Sequence, residues 1–233
     1  MKISVRHILA FTACTVAFAV TPVHAITVQD LTQGEVADGL KEALTQGALN
    51  VVDLTSKLDG FFGNDKIKIP LPPDAAKLES MMRKVRLGKY ADELVLTLNR
   101  AAEAATPEAR ALLVEAVKGM SIAETKNILT GPENSATEYF RAQTSDGLRT
   151  RFLPIVEQAT QKVQLARVYD KFAGKASKFG LIKAEQADLN AYVTQKALDG
   201  LFAMIADEEK KIRANPMKST KDMARKVFGA LIK

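Results

Sequence analysis

Residues 32–58 read TQGEVADGLKEALTQGALNVVDLTSKL, and this stretch decides the fold class. Thr32 and Glu35 have the spacing of a capping box, in which two side chains satisfy free N–H groups at a helix start. Apolar residues then recur every three or four positions, as they do on the buried face of an amphipathic helix. The stretch therefore predicts a helix that begins at Thr32 and ends in the turn-forming residues 59–65.

Helical spacing continues along most of the chain, and no segment shows the sustained alternation of a strand. Thr106 is expected to cap a helix, and Ser121 with Glu124 predicts a second capping box. A break between two helices is expected between Arg141 and Ser145. With no long linker, the sequence predicts an all-α, single-domain irregular bundle of roughly eight to ten helices.

Residues 66–73 interrupt the helical pattern with three prolines, Pro70, Pro72 and Pro73. Proline lacks the backbone N–H that a helix needs, and it holds the preceding residue extended. We therefore expect a Pro-rich extended strap with Ile67, Ile69 and Leu71 turned towards the core. The nearby Phe61 and Phe62 are also expected to pack in the core.

Residues 1–25 have the three parts of a secretory signal. Lys2 and Arg6 precede an apolar run over residues 8–20, and a small-x-small site follows it. The run is too short to span a membrane of ~20 residues. We expect cleavage after about Ala25, which would leave residues 26–233 as one exported, periplasmic helical domain. Cys14 lies within the apolar run in a poor lipobox, so lipoprotein anchoring is not expected.

Cleavage of this signal would remove both histidines and the single cysteine of the chain, which are His7, His24 and Cys14; there is no tryptophan. The mature chain could then form no disulfide and no zinc site based on His or Cys. It could hold neither a Ser-His-Asp triad nor a Cys-His pair. No motif for a metal or a cofactor is present, and we expect neither.

The charge of the chain is mildly basic, and the excess lies near its C-terminus. Without Lys2 and Arg6 the formal net charge falls from +6 to +4. A basic surface is expected at Lys218, Lys221, Arg225 and Lys226. Such a surface would suit an anionic envelope component, although a solvated helix face has the same pattern. The low aromatic content argues against a stacking platform for nucleic acid.

Three groups of polar residues lie at helical spacing and form the candidate site. They are Asn99, Arg100 and Glu103; Thr137, Tyr139 and Arg141; and Tyr192, Lys196 and Asp199. If they converge inside the bundle, they would form a polar ligand pocket. The alternative is a hydrogen-bonded network that fixes the register of the helices.

The sequence also offers one possible ion pair and one set of four possible catalytic acids. Glu209 and Arg213 have the spacing of an exposed ion pair, which would contribute only ~0.3–0.5 kcal/mol. Glu103, Glu138, Asp199 and Glu209 would be the acids of a carboxylate-based hydrolase or lyase. Such chemistry requires two carboxyl groups at a set separation, which a sequence does not give.

Several stretches of the chain resemble a bacterial family, the domain of unknown function 4197 family. They include Asn99-Arg100-Ala101-Ala102-Glu103, Ala136-Thr137-Glu138-Tyr139-Phe140-Arg141, Ala197-Leu198-Asp199-Gly200-Leu201-Phe202 and Val227-Phe228-Gly229. The resemblance covers essentially the whole mature chain in order. It implies an exported, helical, single-domain protein, and it brings no activity, ligand or catalytic residues with it.

These observations favour a non-catalytic binding module for an envelope component or a partner protein. The first alternative is the carboxylate-based hydrolase or lyase, which would act without His or Cys. The second is a structural or interaction protein with no ligand pocket. No nucleic-acid partner and no membrane span in the mature chain are expected.

Overall fold

The computed structural model describes residues 32–73, 80, 83, 84, 86, 88–161 and 188–214. Within them six α-helices can be given bounds, with a 3-10 turn before the third, and residues 73, 80, 83 and 84 are also helical. The helices are α1 (Gln33–Ser56), α2 (Gly88–Ala105), α3 (Ala109–Gly119), α4 (Ile122–Thr130), α5 (Ser135–Thr160) and α6 (Leu189–Ala214). No β-strand occurs in this part of the chain, so the all-α prediction is confirmed there.

Two predicted helix starts are confirmed by their hydrogen bonds. The Thr32 hydroxyl accepts the N–H of Glu35, and the Glu35 carboxylate accepts the N–H of Thr32, so α1 begins with a complete capping box. Ser121 and Glu124 form the same reciprocal pair at the start of α4. Hydrogen bonds from Ser121 lower the pKa of the Glu124 carboxyl. Both boundaries follow from local sequence alone.

The helix start predicted at Thr106 is wrong. Its buried hydroxyl donates to the carbonyl of Ala102 in the preceding turn, at 2.8 Å. Residues Thr106–Glu108 form the 3-10 turn that leads from α2 into α3. A threonine hydroxyl can either cap a helix or bond back to the previous turn, and here it bonds back.

The predicted break between Arg141 and Ser145 is also wrong, because α5 runs without interruption from Ser135 to Thr160. The Ser145 hydroxyl donates to the Arg141 carbonyl at 2.6 Å, as serine often does inside a helix. The described part of the chain thus contains six α-helices rather than the roughly eight to ten expected for the whole chain.

The helices α5 and α6 form the centre of the described bundle. They pack extensively against each other, while α2 lies on α5 and α1 lies on α6 and α3. Thr160 donates to the Asn190 side-chain oxygen at 2.6 Å, which ties the end of α5 to the start of α6. The core between these helices is built of Leu, Ala, Val, Ile and Phe side chains.

Phe61 anchors the turn after α1 in this core, as predicted, and it is fully buried. Phe62 was expected in the core as well, but it is only half-buried. Its ring lies against Gly200 of α6. A Cβ atom at Gly200 would be only 2.6 Å from Cε1 of Phe61, so only glycine permits this close approach.

The structure does not show an extended strap over residues 66–73. Residues 65–67 form turns, residues 68–72 have no regular secondary structure, and residue 73 is already helical. The N–H groups of Ile67 and Lys68 both donate to the Asn64 carbonyl, which folds the beginning of the segment. Ile67, Ile69 and Leu71 are nevertheless buried. Residues 68–72 are called the 68–72 segment below.

Candidate functional site

Asn99 fixes the 68–72 segment to α2. Its Oδ1 accepts the N–H of Ile69 at 2.8 Å, and its Nδ2 donates to the carbonyls of Ile69 at 2.9 Å and Val95 at 2.8 Å. The Asn99 side chain is fully buried. One amide therefore pairs both backbone polar groups of a buried residue in an irregular segment, which would otherwise remain unpaired.

Glu103 lies one turn further along α2 and holds the turn after α1. Its Oε1 accepts two consecutive backbone N–H groups, from Phe61 at 3.0 Å and Phe62 at 3.1 Å. Its Oε2 accepts from Nη1 of Arg100 at 2.6 Å, and Nη2 of Arg100 reaches Asp59 at 2.8 Å. We call these five residues the Glu103 cluster. The two carboxylates, Glu103 more than Asp59, raise the pKa of the Arg100 guanidinium.

Glu209 occupies a similar position at the start of α5. Its Oε1 accepts the N–H of Ala136 at 3.0 Å, and its Oε2 accepts the N–H of Thr137 at 2.9 Å and the Thr137 hydroxyl at 2.7 Å. Arg213 donates to Oε1 from Nε and Nη2 at 3.1 and 2.9 Å, and from Nη2 to the Ile128 carbonyl at 2.8 Å. We call these residues the Glu209 cluster. It joins the end of α4, the start of α5 and the last turns of α6.

The Glu209–Arg213 pair was therefore wrongly predicted to be exposed. The side chains of Glu209 and Arg213 are only 4% and 22% exposed. The i, i+4 spacing fixes which residues share a helix face, but the α5 N-terminus that covers this face comes from a distant part of the chain. A carboxylate at a helix N-terminus also interacts favourably with the helix dipole.

The remaining residues of the second polar group point to other partners. The Tyr139 hydroxyl donates to the Ala116 carbonyl of α3 at 2.9 Å, and burial raises the pKa of the Tyr139 phenol. The Arg141 guanidinium lies 4.6 Å from the centroid of the Phe202 ring. Arg141 also lies 3.8 Å from the exposed Glu138. These contacts join α5 to α3 and α6.

In the third polar group, one residue reaches the 68–72 segment. The Tyr192 hydroxyl donates to the Pro70 carbonyl at 3.2 Å, and burial raises the pKa of Tyr192. Lys196 lies 5.9 Å from the centroid of the Tyr192 ring. Asp199 accepts from Gln195 at 2.8 Å, and Gln195 in turn accepts from Arg149 of α5 at 2.6 Å.

The nine predicted residues do not converge on one pocket. Asn99 and Tyr192 meet at neighbouring residues of the 68–72 segment, Arg100 and Glu103 hold the preceding turn, and Thr137 joins the Glu209 cluster. Tyr139, Arg141, Lys196 and Asp199 make separate contacts between or along helices.

Sequence reasoning missed the part that Asp59 plays. Its backbone is left-handed, with φ of 63°, a conformation that aspartate tolerates better than most residues. The following Gly60 folds onto the last turn of α1, since a Cβ there would lie 2.6 Å from the carbonyl oxygens of Leu54 and Thr55. The Asp-Gly pair signals a turn, but only the fold shows that Arg100 holds it.

The family described as "Protein of unknown function (DUF4197)" matches residues 30–229 of this sequence. The chain belongs to this family. No curated protein and no solved structure matches it. Both the Glu103 cluster and the Glu209 cluster lie inside the matched range, so they are features of the DUF4197 region of this chain.

Recesses of two kinds lie on the described part of this DUF4197 chain. One is an apolar recess beside the Glu209 cluster with a cavity volume of about 10 Å³, which is the space of a single water. The other is a shallow concavity of about 560 Å³ between α3 and α5, where Glu108, Arg110, Glu115, Lys118 and Arg151 surround Ala111 and Val114. Exposed charges of both signs surround this concavity, and each contributes little to binding in water.

Among the residues described, no group of three or more acidic, histidine or cysteine side chains could hold a metal ion. No helix in the same ranges has the length and hydropathy of a membrane span. The predicted signal over residues 1–25 and the predicted basic surface at Lys218, Lys221, Arg225 and Lys226 lie outside the described residues.

Proposed function

We propose that this chain is an exported, non-catalytic binding module of the cell envelope. In this proposal residues 1–25 direct export and are removed, and residues 26–233 form one helical domain. The buried polar groups hold the scaffold, and the ligand or partner contacts the surface. The basic residues Lys218, Lys221, Arg225 and Lys226 contribute an anion-binding part of that surface.

One observation carries the non-catalytic part of the proposal. Glu103 and Glu209 each accept two backbone N–H groups and an arginine. An acid–base catalyst must exchange a proton with its substrate at the carboxylate oxygens. Here those oxygens accept hydrogen bonds that hold the turn after α1 and three helix ends in place. This supports a structural role for both acids over the hydrolase alternative.

The export part is supported by the basic, apolar and small-residue regions of residues 1–25. Cells that express the full chain are separated into periplasmic and cytoplasmic fractions, and the intact mass is measured. We expect a periplasmic protein that begins at Ile26. A full-length mass confined to the cytoplasm would contradict export, and a variant without residues 2–25 supplies the control for leakage.

Binding is tested on the same periplasmic protein by native mass spectrometry with lipid extraction. A reproducible additional mass, absent from a control protein purified in parallel, would support a ligand-binding role. An unmodified mass alone would contradict a tightly bound ligand and leave a surface partner, which pull-down from crosslinked envelope fractions then identifies. If both measurements fail, the structural alternative replaces the proposal.

A further inference from the structure

Residues 61–67, called the 61–67 turn below, lie along one face of α6. At the buried end of this contact, Cε1 of Phe61 would be 2.6 Å from a Cβ atom at Gly200. At the exposed end, the Lys66 ammonium pairs with the Asp207 carboxylate at 2.5 Å. Gly200 and Asp207 are seven positions apart, so they share a face of the helix.

Met204 lies between these two contacts, four positions after Gly200 and three before Asp207. The side-chain Nδ2 of Asn64 donates to Sδ of Met204 at 3.5 Å. The Met204 side chain is half-buried and packs against the edge of the core. A thioether sulfur accepts hydrogen bonds only weakly, so this contact depends on close packing of the two side chains.

Asn64 is also the residue that folds the 61–67 turn. Its carbonyl accepts the N–H groups of Ile67 at 3.0 Å and Lys68 at 2.8 Å. Its Oδ1 accepts the N–H of Lys66 at 3.1 Å. A displacement of the Asn64 side chain from the sulfur would therefore disturb the hydrogen bonds that give the turn its shape.

We propose that Met204 is a reversible oxidation site whose oxidation releases the 61–67 turn from α6. The oxidant is hydrogen peroxide. A sulfur lone pair attacks one peroxide oxygen and the O–O bond breaks. The proton of the attacked oxygen passes to the departing hydroxide, which leaves as water. Sulfur is thereby oxidised by two electrons to the sulfoxide, and the peroxide is reduced. This site is independent of the proposed function, because it requires neither export nor a ligand.

The added oxygen does not fit the present contact. Because Sδ of Met204 and Nδ2 of Asn64 are only 3.5 Å apart, an oxygen directed at Nδ2 would lie closer than the ~2.7 Å minimum of an N–H···O bond. An oxygen directed into the core would be a buried polar group without a partner, so the side chain must turn outwards. Both arrangements separate Asn64 from Met204. The Glu103 cluster still holds the N–H groups of Phe61 and Phe62, so only the α6 side of the turn is released.

The first measurement locates the oxidation. The folded protein is treated with hydrogen peroxide, digested with trypsin and analysed by mass spectrometry. Cleavage after Lys196 and Lys210 gives a peptide in which Met204 is the single methionine. We expect this peptide to gain an oxygen at least about tenfold faster than the peptide with Met120, whose side chain is only 2% exposed. In urea the two rates should converge.

The second measurement follows the 61–67 turn by amide hydrogen exchange in NMR spectra. After oxidation the N–H groups of Ile67 and Lys68 should exchange at least about fivefold faster, whereas that of Phe61 should keep its rate because α2 still holds it. A methionine sulfoxide reductase should restore the slow exchange. The matched variant Met204→Leu keeps the apolar volume and should not respond to peroxide, although the other methionines of the chain still oxidise.

Three results would overturn the oxidation site. They are a Met204 peptide that oxidises no faster than the Met120 peptide, unchanged exchange at Ile67 and Lys68 after oxidation, and an equal response to peroxide in Met204→Leu. The variant Met204→Gln supplies a second check, because its polar side chain should speed exchange at the same two amides without peroxide. Equally faster exchange at Phe61 would indicate general unfolding and would contradict a local release.

Discussion

Glu103 and Glu209 are both buried, and each has an arginine three or four positions away on its own helix. The two carboxylates differ in how their oxygens share the hydrogen bonds that they accept. In the Glu103 cluster, both backbone N–H groups bond to Oε1 and the arginine bonds to Oε2. In the Glu209 cluster, each oxygen accepts one backbone N–H, and Oε1 also accepts the arginine.

This difference determines how much each site depends on a negative charge. A single amide carbonyl oxygen can replace the Oε1 of Glu103, because that one oxygen accepts both backbone N–H groups of the cluster. A neutral amide cannot replace Glu209 in the same way, because each of its two oxygens accepts a backbone N–H group. The two arginines also differ in their exposure and in their number of acidic partners. Arg100 is 32% exposed and has Asp59 as a second partner, whereas Arg213 is 22% exposed and Glu209 is its only acidic partner among the described residues.

The largest expected effect is at Glu209. The Glu209→Gln variant places an NH2 group against either the Ala136 or the Thr137 N–H, so a buried donor loses its acceptor. We expect the free energy of unfolding to fall by about 3 kcal/mol or more, measured by urea denaturation. The control Glu138→Gln changes an exposed acid in the first turn of α5 and should cost less than about 0.5 kcal/mol. If Glu209→Gln lowers the free energy of unfolding no more than Glu138→Gln does, the site does not depend on the negative charge of Glu209.

A smaller effect is expected at Glu103. In Glu103→Gln the amide oxygen can still accept the N–H groups of Phe61 and Phe62, while Arg100 keeps Asp59. We expect a loss of about 1 kcal/mol in the same urea experiment. Glu103→Ala leaves both N–H groups unpaired and should cost more than Glu103→Gln. A Glu103→Gln loss as large as that of Glu209→Gln would show that charge matters equally at both sites.

The smallest expected effect concerns two half-buried tyrosines, Tyr139 near the start of α5 and Tyr192 on α6 beside the 68–72 segment. Burial raises the pKa of Tyr139 and of Tyr192 above the ordinary value of 10.0. Above that pH the unfolded chain releases these protons while the folded chain retains them, so the folded state loses stability as the pH rises through the folded pKa. Below the unfolded pKa the contribution is fully present.

We therefore expect the free energy of unfolding to fall less steeply above about pH 10 in Tyr139→Phe and Tyr192→Phe than in the wild type. The control Tyr90→Phe changes a residue that is 41% exposed and should keep the wild-type slope. Identical slopes in all four proteins would contradict a contribution from burial.

Local patterns in the sequence predicted the parts of the fold that depend on neighbouring residues. The helical spacing gave the all-α class, and the capping boxes at Thr32 and Ser121 gave two boundaries, because their hydrogen bonds join residues three positions apart. The same reasoning failed at Thr106 and Ser145, where a hydroxyl had two local choices and the surrounding helices favoured bonding back to the preceding turn.

The candidate polar residues were found by their composition and spacing, but their partners were not. Asn99 bonds a residue 30 positions away, Glu103 one 42 positions away, and Glu209 one 73 positions away. Those partners are backbone groups, which carry no sequence signature. An acid on an amphipathic helix therefore looks the same in the sequence whether it faces water or the start of another helix.

The sequence by itself determined that this protein is helical, where two of its helices begin, and which family it belongs to. Only the tertiary structure decided that Glu103 and Glu209 are buried and that Asn99 holds an irregular segment. The physical reason is that helix formation depends on neighbouring residues, whereas burial and hydrogen-bond partners depend on how distant helices pack.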